Sequence, residues 1–315
     1  MAALSLIEAM KVALNRGETK RAGVIATFAR ASSLMARLPF KNIPGNSYAY
    51  DQEGALPGVA FRGVNEAYTQ SAGIINPQSE SLKIAGGDLS VDVALIKMLG
   101  EGTRATQESL KTKALAASIT QAMFKGDSAT DVRSIDGFQA RVNVTGPQLI
   151  ENGTSDGGDP LSMFKLDTMI QRVAGPNKVI FAPAPTILRI TQAARTTSVG
   201  GYVQFTPDEF GRQIASYNGI PLLPVYPEND GIDPLDFTEL ASTGSTATAS
   251  SIYCMSLADG YVSGIQNGPM EVRDLGEQGA TPQTITRVEW LVGLVVEHPR
   301  AIARLRGVKA GAAVA

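Results

Sequence analysis

GNSYAYDQEGALPGVAFRGVNEAYTQSAGIINPQSESLKIAGGDLSVDVALIK, from Gly45 to Lys97, decides how the other residues of this 315-residue chain are read. Its two ends alternate in a strand-like way. Tyr48 and Tyr50 mark the first limb, and Leu82, Ile84, Leu89, Val91 and Val93 the second. The middle is polar, dotted with Gly, Pro and Asn, and shows no helical period. So long a segment has too few large apolar residues to build its own core. A two-stranded hairpin alone in water is marginal, so a long arm of this kind must lie on something else. In an assembly it can lie on a neighbour and gain backbone hydrogen bonds and side-chain burial there.

On the N-terminal side, Leu6, Ile7, Met10, Ala13 and Leu14 recur at helical spacing and predict a helix ending near Asn15–Gly17. A second helix is predicted from about Lys20 to Leu38, stopped by Pro39 and Pro44. On the C-terminal side, TRATQESLKTKALAASITQAMFKGD begins at Thr103, is rich in alanine and has no Pro or Gly before Gly126. It predicts one straight helix of about 23 residues, spanning roughly 34 Å. Its apolar stripe (Leu115, Ile119, Ala122, Met123) occupies only the second half, so the helix is half core and half surface.

Between about Pro160 and Asn267 helices and strands alternate, which predicts a compact α/β or α+β subdomain. A helix is expected to open at Asp159 and Pro160, a suitable N-cap and first position. NKVIFAPA reads as a buried strand, PTILRITQAAR as a helix, and GRQIASYNGIPLLPVYP as two strands turned at Asn218–Gly219. LASTGSTATASS is uncharged and is expected to be a surface loop. GPMEVRDLG and TITRVEWLVGLVVEHP are predicted strands, the second long and apolar; it carries the only tryptophan, Trp290, and the only histidine, His298.

With 43% apolar and 18% charged residues the chain can bury a sizeable core. Net charge is −2, which by itself points to neither nucleic acid nor membrane. The distribution is uneven: the first 44 residues carry seven Lys/Arg against two Glu, and residues 300–315 carry four Lys/Arg and no acid. Both ends are either solvated tails or segments facing a polyanion such as packaged nucleic acid. No run approaches the roughly 20 apolar residues that cross a bilayer, and no long apolar signal region is visible, so production in a cytoplasm is expected.

The residues that carry chemistry are sparse. One cysteine, Cys254, excludes an intramolecular disulfide and a Cys-pair metal site, and its apolar flanks predict a buried, inert thiol. A single histidine leaves His-based metal sites without partners, and a triad would have to use His298. Walker A and dinucleotide-binding glycine patterns are absent. DGGD at Asp156–Asp159 lacks the spacing of a calcium loop and reads as a turn. Asp208–Glu209 and Glu228/Asp230 are carboxylate pairs in loops that a hydrolytic enzyme would need to bring into one cleft. Trp290 in RVEWLVGLVV reads as sheet packing. No enzyme, cofactor or metal site is expected.

The order of parts resembles the HK97-fold major capsid proteins of tailed bacteriophages. LPFKNIPGNSYAYDQEGALPGVAFRGVNE, starting at Leu38, is similar to the start of the extended arm in one branch of these proteins. TRATQESLKTKALAASITQAMFKGD sits where the family has its spine helix, SIDGFQARV is similar to the segment after it, and RVEWLVGLVVEHPRAIARLRGV to the closing stretch. The resemblance covers nearly the whole chain and rests on order more than on any one string. It implies an α+β, HK97-like capsid fold: an N-terminal helical arm (1–44), an extended E-loop (45–97), a spine helix and first part of the peripheral domain (98–159), an axial domain (160–267), and peripheral strands with a closing strand (268–315).

The resemblance also implies a function: hexamers and pentamers closing into an icosahedral head around double-stranded DNA. Leu56, Pro57, Phe61, Arg62 and Glu66 would touch a neighbouring subunit, and Lys20, Arg21 and Arg30 would face DNA. A separate scaffolding protein, a portal and a decoration protein would be partners, with no membrane, and the protein would reside in the virion after assembly in a host cytoplasm. Some relatives crosslink an E-loop lysine to a neighbour's asparagine; here no Lys lies between Asn46 and Ser81, so no crosslinking is expected. An encapsulin-like nanocompartment, a soluble α/β hydrolytic enzyme and a tail or fibre protein are the alternatives; the last lacks repeats and heptads.

Overall fold

The computed structural model describes residues 5–17, 22–23, 25–27, 31–100, 102–142, 146–195, 201–207, 213–225, 233–277 and 281–314. Free of internal Pro and Gly, residues Gly102–Lys125 form one helix of 24 residues, about 36 Å long. Its buried residues are Thr112, Ala116, Ala117, Ile119, Thr120, Met123 and Phe124, and all but Thr112 lie in its second half, where the narrow stripe was read. Gly126 ends it: its N–H bonds to the Ala122 carbonyl at 2.8 Å, and a Cβ there would stand 2.2 Å from the Ile135 carbonyl oxygen. Only glycine fits that approach.

The strands, in chain order, are β1 (Phe40–Asn42), β2 (Ser47–Ala55), β3 (Ile74–Ser81), β4 (Lys83–Asp92), β5 (Leu149–Glu151), β6 (Asp159–Ser162), β7 (Lys178–Ala182), β8 (Val203–Pro207), β9 (Gln213–Tyr217), β10 (Ile220–Pro224), β11 (Ala249–Ser256), β12 (Val262–Gln266), β13 (Glu271–Glu277), β14 (Gln283–Val296) and β15 (Ile302–Val314). They form a five-stranded sheet centred on β14, an eight-stranded sheet running β5-β15-β11-β7-β10-β9-β8 with β6 also on β15, and the separate hairpin β2-β3.

Strand β14 pairs antiparallel with β4 over ten residues, from Gln283↔Asp92 to Val292↔Lys83, and with β13 and β12 as well. Its alternation sends Val288, Trp290, Val292 and Leu294 into the main core with Ile119, Met123 and Phe40. Trp290 is sheet packing, as predicted. Its ring lies 5.1 Å from that of Phe40, and its indole N–H donates to Gln266 Oε1 at 3.0 Å. At the end of the long helix, Phe124 meets Phe138, Phe181 and Tyr253 edge-on at 5.2, 5.8 and 5.5 Å, which fastens the helix to β7 and β11. A second core lies between the eight-stranded sheet and helices Met163–Arg172 and Ala184–Ala193, around Leu166, Met169, Ile180 and Leu305. Asn218 and Gly219, both at positive φ (50° and 78°), make the predicted turn between β9 and β10.

The structure departs from the sequence reading at several points. The stretch predicted as one helix to Leu38 is helical at its described residues until Ala31, but breaks at Ser32, whose hydroxyl caps a new helix, Ser33–Arg37, by accepting from the Met35 N–H. The arm's returning limb is β3, not the alternating residues Leu82–Val93. Leu89 and Val91 alternate because β4 lies along β14 with one face on the body, whereas Ile84 falls on the opposite face and is 75% exposed, and Val93 starts a short helix, Val93–Leu99. β3 holds Pro77, tolerable because both edges of the hairpin are otherwise unpaired. Asp159 and Pro160 open β6, and the helix begins at Met163. Ala249, Ser250 and Ser251, read as surface loop, are fully buried in β11.

The two sheets also exchange segments across the limits read from sequence. β12 leaves the region around β11 to join β14, while the closing strand β15, thirteen residues long, returns to β11. The basic closing segment is therefore no loose tail. Arg304 is 1% exposed and pairs with Glu239 at 3.0 Å; Arg306 pairs with Glu151 at 2.6 Å. Ser251 donates to Glu239 and accepts from Arg304 Nε, and Lys125 on the long helix pairs with Asp236 at 2.5 Å. This charged cluster ties the 233–239 segment to the helix and to the eight-stranded sheet.

Candidate assembly surface

Strands β2 and β3 pair from Ser47↔Ser81 to Ala55↔Ile74 and carry a loop, residues 56–73. Every residue from 53 to 79 is exposed. Leu56, Val59, Phe61, Val64 and Tyr68 stand in solvent at the far end, a concentration of apolar surface that an isolated soluble chain has no reason to keep.

Of the residues singled out in the sequence, Leu56, Pro57 and Phe61 point outward from this loop. Arg62 and Glu66 are used within it. The Arg62 guanidinium lies 5.1 Å from the centre of the Tyr68 ring and donates to the Glu66 carbonyl at 3.2 Å; the Glu66 carboxylate accepts from the Gly63 N–H at 2.7 Å. With Ser71 donating to the Gly58 carbonyl at 2.8 Å, these bonds give the tip a defined shape that presents its apolar side chains. Lys20, Arg21 and Arg30 lie outside the described residues.

The base of the arm is anchored, a feature the sequence did not reveal because its partners lie far apart in the chain. Tyr48 donates to Glu297 at 2.8 Å, and Lys41 bonds Glu297 at 2.7 Å and Asp259 at 2.5 Å. On the other limb Arg141 bonds Glu80 at 2.6 Å and the Leu294 carbonyl at 3.1 Å. Tyr48 and Tyr50 stack at 6.0 Å over the small core of Ile43, Leu82, Ile265 and Val295. Burial pulls the Lys41 pKa down, but the bonds to Asp259 and Glu297 outweigh it and leave it raised; Lys41 in turn holds the Asp259 carboxyl below its ordinary value. The Asp259 contribution is present above the ordinary carboxylate range and lost as pH falls through it, and that of Lys41 is lost only above the ordinary lysine range. The anchor is thus intact across neutral pH.

Among the described residues, His298 and the DGGD carboxylates, which could have carried catalysis, are otherwise occupied. His298 forms the corner after β14, its Nδ1 accepting from the Arg300 N–H at 3.0 Å and its ring 5.4 Å from that of Tyr261. Asp156 accepts from the Thr246 N–H and hydroxyl, both at 2.9 Å, and Asp159 from the Ser155 N–H, so DGGD ties two loops together as a turn. Among the described residues no group of three or more His, Cys, Asp or Glu could hold a metal. Asp208, Glu209, Glu228 and Asp230 lie outside them. A cleft of about 850 Å³ is bordered by Arg37, Lys178 and Gln204, with no carboxylate, His or Cys among its described lining residues. No helix of the described residues is long and apolar enough to cross a membrane.

Cys254 is fully buried in β11, and burial pushes its thiol up to about 12. The folded protein is therefore expected to resist thiol-directed alkylation at neutral pH and to react stoichiometrically once denatured. Rapid labelling of the native chain would contradict this placement.

No protein-family model matches the chain, and no curated protein matches it by sequence. Solved structures do. The holo-SrpI encapsulin complex from Synechococcus elongatus PCC 7942 is similar over 90% of this chain and 89% of that one, with 17% identity and a TM-score of 0.61. The capsid of cyanophage A-1(L) is similar over 89% and 91%, with 15% identity and a TM-score of 0.61. The capsid of the native GTA particle is similar over 89% and 90%, with 14% identity and a TM-score of 0.58. The chain has the α+β, HK97-like capsid fold that its order of elements implied. The proteins it resembles in structure are shell components, not enzymes.

Proposed function

We propose that this chain is a major capsid protein, assembling through hexamers and pentamers into the icosahedral head of a bacteriophage around double-stranded DNA. The observation that carries the reading is the anchored arm, which holds Leu56, Val59 and Phe61 away from the body where only another molecule can cover them. Leu56, Pro57 and Phe61 contact the neighbour, while Arg62 and Glu66 shape the tip that does so. A separate scaffolding protein, a portal and a decoration protein are the further partners, and the virion is the site of residence. Each contact can be weak, because a subunit in a closed shell is held by several neighbours at once.

An encapsulin-like shell is the second reading, favoured by the similarity to the Synechococcus encapsulin at the same TM-score as the cyanophage capsid. Particles purified from producing cells and treated with nuclease decide between them: protected double-stranded DNA is the expected content, and a co-purifying protein cargo without DNA would overturn the phage reading. Reversing the charges of Lys20, Arg21 and Arg30 is expected to lower DNA retention while shells still form; unchanged retention would remove these residues from the DNA-facing set.

Covalent crosslinking is not expected in mature particles. The arm has no lysine between Asn46 and Ser81, and Lys83, at the start of β4, donates to the Val132 carbonyl at 2.6 Å. Denaturing gels of mature particles should show single chains, and a ladder would contradict this.

A further inference from the structure

Between the helix Met163–Arg172 and the turn joining β9 to β10 lies a cleft of about 570 Å³. Leu166 and Met169 fasten the helix to the eight-stranded sheet, while Phe164, Asp167 and Gln171, three and four apart on one helix face, border the cleft. Tyr202 and Tyr217 border it too, their rings 6.4 Å apart and tilted by 36°. The Asn218 N–H donates to the Tyr202 carbonyl at 2.9 Å, which sets the backbone there. The Tyr217 hydroxyl donates to Asp167 Oδ1 at 2.8 Å and ties the sheet to the helix across the cleft. Burial, and then that bond, push the Tyr217 pKa up, so the phenol stays a donor and Asp167 its acceptor. The cleft is thus built by contacts that hold its shape before any ligand arrives.

Two aromatic rings stand open at it: Phe164 is 79% exposed and Tyr202 57%. A ring in that position offers its electron-rich face to polarised C–H groups. Among the described lining residues the charged groups are Asp167 and Lys178, one of each sign. Lys178 donates to the Ile170 carbonyl at 3.2 Å and has further N–H groups to give. An anion would meet the carboxylate and a cation the ammonium, so an ion of either sign meets a like charge. A neutral polyol meets no such penalty. Its hydroxyls both donate and accept, which suits a carboxylate, an ammonium and the amides of Gln171 and Asn218 together. The volume is within the range that small ligands occupy.

We propose that this cleft is a saccharide site. Phe164 and Tyr202 stack on the C–H face of a pyranose ring, and Asp167, Lys178, Gln171 and Asn218 bond its hydroxyls. The inference does not depend on what a shell of this protein encloses.

Saturation-transfer NMR with the full-length protein tests it, on particles and on subunits released from them. The probes are four neutral disaccharides: maltose, cellobiose, lactose and diacetylchitobiose. Irradiating the aromatic protons is expected to transfer to the ring C–H signals of at least one of them. Tyr202→Ala and Phe164→Ala, both at exposed positions, should keep the circular dichroism of the unaltered chain and each bind that sugar about tenfold more weakly. Asp167→Asn, which leaves Tyr217 an acceptor, should weaken it several-fold. Retention of particles on immobilised cell-envelope polysaccharide, reversed by the free disaccharide, would identify the source as a surface glycan; binding of the free disaccharide alone would identify a soluble sugar. Three results would overturn the site: no transfer to any of the four, binding unchanged in Tyr202→Ala, or binding by subunits that particles lose. Tighter, Tyr202-dependent binding of tetramethylammonium or inorganic phosphate would replace the saccharide by an ion.

Discussion

Replacing residues 56–73 by an Asn-Gly turn gives a subunit that folds as before and forms no shells. The body does not depend on these residues, because all of them are exposed and their hydrogen bonds stay within the loop. The pairs from Ser47↔Ser81 to Ala55↔Ile74 can close through a two-residue turn, and Asn-Gly suits that geometry. The thermal midpoint should therefore shift by no more than about 2 °C, since surface changes of this kind stay within roughly 0.5 kcal/mol. Assembly loses the apolar tip that the neighbour covers. Circular dichroism reports the fold and light scattering the assembly. Shells formed at unchanged yield by the shortened arm would show that the tip is not the interaction surface.

Glu239→Ala should cost more stability than any other single exchange considered for this chain, about 3–5 kcal/mol. Glu239 and Arg304 are 8% and 1% exposed, and removing the carboxylate leaves the guanidinium buried beside Ser251 without its counter-ion. The long helix loses part of its attachment as well, because Lys125 approaches the same carboxylate at 4.0 Å while pairing with Asp236. Against the roughly 5–15 kcal/mol that holds a typical domain together, such a loss approaches unfolding. The double variant Glu239→Leu with Arg304→Met, which removes both charges and restores apolar volume, should recover most of it. Denaturant titration measures both. A Glu239→Ala midpoint close to that of the unaltered chain would mean that the pair is not the fastening it is described to be.

How much of this was legible in the sequence depended on whether the signal was local. The long helix was, because an alanine-rich run closed by Gly126 has few other options. Trp290 was, because strict alternation around it fixes which face of β14 is inward. The arm was legible as a segment without a core, but its returning limb was misplaced: IINPQSES lacks the alternation of a half-buried strand because β3 buries neither face, whereas the alternation of Leu89 and Val91 reports β4 lying on the body. The exposed helix Val93–Leu99 was hidden by the same bias, since an apolar run reads as something buried. The arm's anchors could not be seen, because Tyr48 and Glu297, or Glu80 and Arg141, are brought together only by the pairing of strands distant in sequence. For the same reason the basic closing segment read either as a solvated tail or as a segment facing a polyanion, while Arg304 and Arg306 are paired with Glu239 and Glu151.

The central claim is that this chain builds a shell, and the most direct test is its assembled mass. Size-exclusion chromatography with light scattering, on protein produced together with its neighbouring genes and imaged by electron microscopy at the leading peak, should find hollow shells or the hexamers and pentamers that build them. A species that stays monomeric or dimeric under those conditions would contradict the account.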